Sequence, residues 1–190
     1  MSNITDTDYI HRVLNGDTVS FRFLVERYQQ MVYTLALKLI RNREEAEDAA
    51  QEIFMKCYRS LNSYHHQSAF ATWLYRIAYN HSIDALKKKN RKQYTEMKEG
   101  IADSVIATNA ADEKIDFKEV QLLVKQAIHR LSPDEQVIIT LYYYDDLPVR
   151  DIAEIMGITE NNVKIKLYRI RGRLLELLKS KNEITSILNL

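Results

Sequence analysis

Between Trp73 and Lys87 the chain interleaves aromatic and basic side chains at helical spacing. Trp73, Arg76, Tyr79, Asn80 and Lys87 fall near one side of a helix, with Tyr75 alongside. Rings that stack on bases, set on an electropositive surface, are what binding of single-stranded nucleic acid requires. A lone Trp in a helix is more often partly core, and that reading of Trp73 stays open beside the first. A second set, Asn161, Lys164, Lys166, Tyr168, Arg169, Arg171 and Arg173, takes the outward positions of a later helix. These are donors suited to phosphates and base edges in a major groove. A third stripe, Asp48, Gln51, Glu52 and Met55, is spaced for one side of a helix and suits either solvent or a protein partner.

Catalytic chemistry finds no comparable pattern. His65 and His66, with Cys57 and His81, lack the paired spacing of a metal site. Cys57 falls on the apolar face of its helix and reads as a small hydrophobe. No glycine-rich phosphate loop or nucleophile elbow is present. The expectation is a protein with no catalytic group, no metal and no cofactor, and not an enzyme.

The elements that carry these residues are helices. Glycine and proline together number six of 190 residues, about a quarter of the ~12% that is usual. Sandwiches, barrels and doubly wound sheets need both residues at their tight turns, so an all-α fold is expected. A 46% hydrophobic and 28% charged composition excludes wholesale disorder. No apolar run approaches ~18 residues, and the N-terminus lacks the blocks of a signal peptide, so neither membrane insertion nor export is expected. A single cysteine suits a reducing cytoplasm.

Apolar periodicity predicts a short helix around Ile10 and Val13, broken at Asn15-Gly16-Asp17, then helices over about 21–40, 43–61 and 69–91. Asn42 is a cap with Glu45 three positions on. Residues 62–68 form the clearest loop of the first half. Periodicity weakens over 93–116, read as a flexible linker with at most a turn or two of helix. Helical spacing returns at Phe117, and Ser132-Pro133-Asp134-Glu135 is a strong helix start. Two small helical domains, 8–92 and 117–180, are the expected organisation.

Residues 148–174 carry the sharpest spacing. Ala153, Gly157 and Val163 fit a helix-turn-helix: a small residue for close approach, a glycine for the left-handed turn, a β-branched residue for the core between helices. A plain helical hairpin could use the same glycine. The charge distribution adds weight. Arg76–Lys92 holds six basic residues and one acid, Gln93–Glu119 seven acids and three lysines, and Lys164–Lys181 seven basic residues and one acid. Two basic blocks separated by an acidic stretch point to two polyanion-contacting surfaces.

Taken in order, these residues resemble one family. Asp48-Ala49-Ala50-Gln51-Glu52-Ile53-Phe54, then Phe70 to Asn80 with Thr72-Trp73-Leu74-Tyr75-Arg76 at its centre, then Asp84, resemble regions 2.2 to 2.4 of bacterial extracytoplasmic-function sigma factors of the sigma-70 family. Leu131 to Glu135, Asp151 to Gly157, Val163-Lys164 and Arg169-Ile170-Arg171 resemble region 4. The likeness spans about residues 8–178, with both motif sets in family order.

The resemblance implies roles residue by residue. Asp48, Gln51 and Glu52, with Met55 on the same stripe, match positions that dock on the β′ clamp helices of core RNA polymerase, and region 4 would meet the β flap. The loop with Tyr64, His65 and His66, together with Phe70, matches the segment that captures a flipped base of the −10 element. Trp73 matches the first of two tryptophans that wedge the melted bubble in primary sigma factors, and Leu74 holds the second position, which implies a weaker wedge. Arg76, Asn80, Asp84 and Lys87 fall in the part that meets −10 DNA. Lys164, Ile165, Lys166, Tyr168 and Arg169, flanked by Asn161 and Arg171, match the −35-reading helix. Ile165 stands where the family often has a small polar residue, and Val137 where it frequently has arginine. An anti-sigma factor is a further implied partner.

Two other functions compete with an initiation factor. A helix-turn-helix repressor or activator would bind a palindrome as a dimer and would leave the stacking platform without a job. An enzyme would need a convergent constellation that the chain lacks.

Overall fold

A computed structural model describes residues 4–96 and 117–179, with side chains over 4–88 and 120–178. Among the described residues it is all-α: α1 (Asp6–Leu14), α2 (Phe21–Ile40), α3 (Arg43–Ser60), α4 (Phe70–Glu96), α5 (Phe117–His129), α6 (Pro133–Tyr143), α7 (Val149–Met156) and α8 (Glu160–Lys179). The expected helical class and two-module organisation are what the structure shows. The expected linker falls mainly on 97–116, outside the described residues, while its first four residues, 93–96, continue α4.

Helix starts follow local chemistry. Thr5 and Asp8 close a capping box on α1, and Ser132 and Glu135 close another on α6 with Pro133 at the first position. Asn42 Oδ1 accepts from the Glu45 amide at 3.0 Å and starts α3. The break after α1 passes through Gly16 at φ 100°, which a side chain would strain.

In the first module α2, α3 and α4 pack against one another through Leu24, Val32, Leu35, Leu39, Ala46, Ile53, Phe54, Cys57, Leu74 and Ala78, all buried. Close-packed alanines at 46, 49 and 78 let the helix axes approach. In the second, α5, α6 and α7 surround α8, whose Val163, Leu167 and Ile170 are buried. Val137 is also fully buried, so that position offers no DNA contact.

The modules do not stand apart. Helix α7 lies along α4 and α6 along α2, and the buried side chains of both modules join in one cluster. Apolar spacing in the sequence sets Phe70, Leu74, Ile77, Ala78 and Ala85 on the core face of α4; Phe70, Leu74 and Ala78 are buried and Ile77 and Ala85 half-buried, and the contact between modules adds further buried positions. Thr72, Tyr75 and Tyr79 are buried although they lie off the Phe70–Leu74–Ala78 stripe, because the second module covers them. Among the described residues no helix is long and apolar enough to cross a membrane.

Candidate nucleic-acid interface

In the second module a turn aims a helix. Helix α7 ends at Gly157 (φ 65°, ψ 34°). Nothing lies within 4 Å of where its Cβ would sit, so the left-handed backbone rather than crowding calls for glycine. Two residues later Thr159 Oγ1 accepts from the Asn162 amide at 3.2 Å and starts α8. With Val163, Leu167 and Ile170 inward, the expected readers Asn161, Lys164, Ile165, Tyr168, Arg169 and Arg171 lie exposed, and Lys166 is half-buried. Tyr168 is 77% exposed and Ile165 40%, so neither serves the core.

Two arginines brace this helix on α6. Arg171 Nε donates to Tyr143 Oη at 2.7 Å, and the guanidinium lies 5.8 Å from the Tyr143 ring centroid. Arg173 Nη1 reaches both oxygens of Glu135, at 2.9 and 3.1 Å. Burial works against ionisation of Glu135, but bonds from Ser132 and the Arg173 ion pair outweigh it and hold the carboxyl below its ordinary range. Arg171 is therefore partly engaged within the protein.

The first module presents a different surface. Tyr64, Phe70 and Trp73 form an aromatic cluster with centroids 5.3 to 5.8 Å apart, and Tyr28 meets Phe70 edge-on at 5.5 Å. Tyr64 Oη donates to the Ser68 carbonyl at 2.8 Å and folds the 62–68 loop onto the start of α4. His66, at φ 56°, tilts against Tyr64 with centroids 4.5 Å apart. His65, His66, Arg76, Asn80, Asp84 and Lys87 are exposed, and Trp73 is half-buried. Tyr64 and Phe70 depart from the base-capturing expectation: both are buried, and Phe70 is core. In this arrangement they support Trp73 and the loop rather than face solvent.

On α3, Asp48, Gln51, Glu52 and Met55 form the expected exposed stripe, with Met55 52% exposed. Glu52 lies 3.3 Å from His81 Nε2 on α4. Burial and the nearby Lys56 charge hold the His81 pKa below its ordinary value. Cys57 sits in the core, where burial pushes its thiol up to about 12. Among the described residues no three His, Cys, Asp or Glu side chains form a cluster able to hold a metal.

Sequence reasoning missed a third set of polar residues. Ser68, Thr72, Tyr75 and Tyr79 each donate a hydroxyl to a carboxylate of the second module. Their partners lie 55 to 86 positions away, so no local spacing announces them. Thr72, Tyr75 and Tyr79 lie on α4 and Ser68 in the loop before it, while Asp134, Asp151 and Glu154 lie on α6 and α7 and Asp145 in the loop between them.

Comparison with known proteins decides the family. The sigma-70 region 2 family model matches residues 24–92 and the sigma-70 region 4 model residues 121–174. The chain is 33% identical to the ECF RNA polymerase sigma factor SigW of Bacillus subtilis, over 87% of this chain and 92% of that one. The chain belongs to the extracytoplasmic-function (ECF) family of RNA polymerase sigma factors. This ECF sigma factor is also 34% identical to the ECF RNA polymerase sigma-E factor of Haemophilus influenzae, over 88% and 92% of the two chains. A solved sigma factor RpoE from Bartonella quintana, in complex with the anti-sigma factor NepR, superposes with a TM-score of 0.65. The two share 26% identity over 85% of this chain and 98% of that one. As an alternative sigma factor the protein binds core RNA polymerase and directs promoter-specific transcription initiation, the work of a family that is not catalytic.

Proposed function

We propose that this ECF sigma factor divides promoter reading between two domains, 8–92 and 117–180, joined by residues 93–116. In the first, His65, His66, Trp73, Arg76, Asn80, Asp84 and Lys87 meet the melted −10 strand, with Tyr64 and Phe70 holding the loop and the wedge in place. In the second, Asn161, Lys164, Ile165, Lys166, Tyr168, Arg169 and Arg171 read the −35 duplex. The stripe of Asp48, Gln51, Glu52 and Met55 docks on the β′ clamp helices of core polymerase, and the second domain meets the β flap. The chain works in the cytoplasm, performs no catalysis, and is held by an anti-sigma factor. Support for that last partner is the RpoE relative, whose solved structure is a complex with the anti-sigma factor NepR.

One observation carries the division of labour: a single chain exposes a basic, outward-facing helix behind a capped turn and, on another helix, a tryptophan set among basic residues. The first suits duplex grooves and the second unstacked bases. Run-off transcription with core polymerase on a promoter library tests the proposal. Discrete transcripts that require the protein, with −35 and −10 consensus blocks upstream, are expected. Binding to palindromic duplexes without any transcript would favour the repressor reading instead.

A further inference from the structure

We propose that the cleft between the end of α2 and the α5–α6 pair binds a phosphorylated small molecule with a flat body, of the nucleoside diphosphate class. The proposal goes beyond promoter reading and does not depend on it.

The cleft holds about 550 Å³, within the ~300–1,000 Å³ range of small-molecule sites. Lys38 and Arg41 at the end of α2 line it with Lys125 and His129 of α5, and among the described residues no carboxylate does. Two other clefts of similar size differ in this. The one between α3 and α4, about 560 Å³, is lined by Glu45, Asp48, Glu52 and Asp84; the one between α2 and α3, about 660 Å³, by Glu26 and Glu47. Acids there offset the cations beside them. The α2–α5 cleft carries cations alone.

Two of those cations are held in a way that leaves their charge unanswered. Lys38 is half-buried, and its Nζ donates to Thr140 Oγ1 at 2.7 Å. Arg41 Nη2 donates to the Leu131 carbonyl at 2.9 Å. Both acceptors are neutral, and among the described residues neither cation forms an ion pair. Taking a charge out of water is costly unless something of opposite sign meets it. Burial lowers the Lys38 pKa, and the nearby Asp145 charge works the other way without cancelling it. Arg41 also ends α2 in the left-handed conformation, φ 56° and ψ 24°, where glycine or asparagine is usual. Strain of that kind gathers where a side chain must be aimed at a ligand. A diphosphate supplies the missing counter-charge, and a guanidinium beside an ammonium suits its oxygens.

The remaining walls suit a flat body. Leu37 and Ile128 are half-buried apolar sides of the cleft. The Tyr144 ring, 62% exposed, has its centroid 6.0 Å from Lys38 Nζ. A base stacked on that ring keeps its phosphates beside the cations. Because the lining comes from both modules, an occupant stabilises the folded chain by mass action.

The test uses the full chain in calorimetric titrations with ADP, GDP, inorganic pyrophosphate and adenosine, together with thermal melts. ADP or GDP is expected to bind and to raise the melting temperature as its concentration rises. Pyrophosphate should bind about tenfold more weakly for want of a stacked base, and adenosine should not bind in the same range. Lys38→Met with Arg41→Gln should abolish nucleotide binding. Lys125→Ala, at an exposed position, should weaken it about threefold or more and serves as the test if the first pair fails to fold. Tyr144→Ala should bring ADP down to the level of pyrophosphate. Lys164→Ala with Arg169→Ala, on the outer face of α8, should leave nucleotide binding as it is. The proposal is overturned by absence of binding at millimolar nucleotide, or by adenosine that matches ADP. Full binding in the folded Lys38–Arg41 variant or in Lys125→Ala overturns it as well. So does binding that disappears with Lys164 and Arg169, which would place the nucleotide on α8.

Discussion

Helices α4 and α8 carry the two proposed nucleic-acid surfaces, and they are built on opposite plans. Helix α8 separates its duties by face: Val163, Leu167 and Ile170 inward, polar and basic side chains outward. Helix α4 mixes them, with a core stripe, a half-buried tryptophan, exposed Arg76 and Asn80, and a flank of hydroxyls bonded to the other domain. Reading an intact duplex needs a rigid rod presenting donors at fixed height, and a two-faced amphipathic helix supplies that. Holding bases out of a stack needs rings and polar groups that fit between apolar neighbours, so the surface grades into the core. One helix is a face; the other is a boundary.

The contrast is easiest to break at Trp73. Trp73→Ala holoenzyme is expected to form closed complexes and open them slowly on duplex templates, a loss of about 2–3 kcal/mol, the scale of unstacking a base step. A pre-melted bubble template should restore most of the rate. If circular dichroism shows the variant unfolded, or the bubble brings no rescue, Trp73 belongs to the aromatic core with Tyr64 and Phe70, and α4 has no wedge.

On α8 the expected effects are smaller and separable. Lys164→Ala should weaken −35 binding about tenfold across all sequences and lower the salt dependence by about 0.9 in the log–log slope, as for one lost phosphate contact. Titrations at two salt concentrations read this directly, and a change confined to one base position would make Lys164 a base reader instead. Ile165→Ser should cost about 1 kcal/mol at a single thymine-bearing position, since an exposed isoleucine can pack on a thymine methyl but cannot hydrogen-bond. Selection from randomised −35 sequences with an unchanged profile would show that Ile165 touches no base.

The smallest effect probes the buried side of α4. Ser82 Oγ is buried without a hydrogen-bond partner among the described residues, whereas the buried stripe of α8 is wholly aliphatic. Ser82→Ala is expected to leave the melting temperature unchanged or raise it slightly, within about 1 kcal/mol. A clear drop would mean the hydroxyl has a partner, such as an ordered water, that α4 depends on.

The two plans also set what the sequence made legible. Helix positions, caps at Asn42 and Ser132, the Gly157 turn and the outward stripe of α8 follow from local spacing, and the structure has them where spacing placed them. The surface of α4 was only partly legible. Phe70 could be assigned both to the core and to base capture, because an aromatic at helical spacing serves either, and burial alone apportions it. Thr72, Tyr75 and Tyr79 gave no sign of their partners, since Asp151, Asp145 and Asp134 reach them only through tertiary packing. Contacts between residues 55 or more positions apart leave no periodic trace.

Glu135 has a consequence of a different kind. Its carboxylate closes the start of α6 by accepting from the Ser132 amide at 2.9 Å, and the same two oxygens receive Arg173 from α8. The angle at which the reading helix leaves the protein is thus tied to the nucleation of another helix. If α8 reads the −35 element as proposed, a lineage drifting toward a new promoter is free to exchange Lys164, Ile165 or Tyr168 one at a time, because all three are exposed on its outer face. Glu135 has no such freedom: any replacement alters both a fold and an aim. On that proposed reading, promoter choice in this architecture diversifies through side chains on the outer face of α8, while the bearing that sets its direction stays fixed.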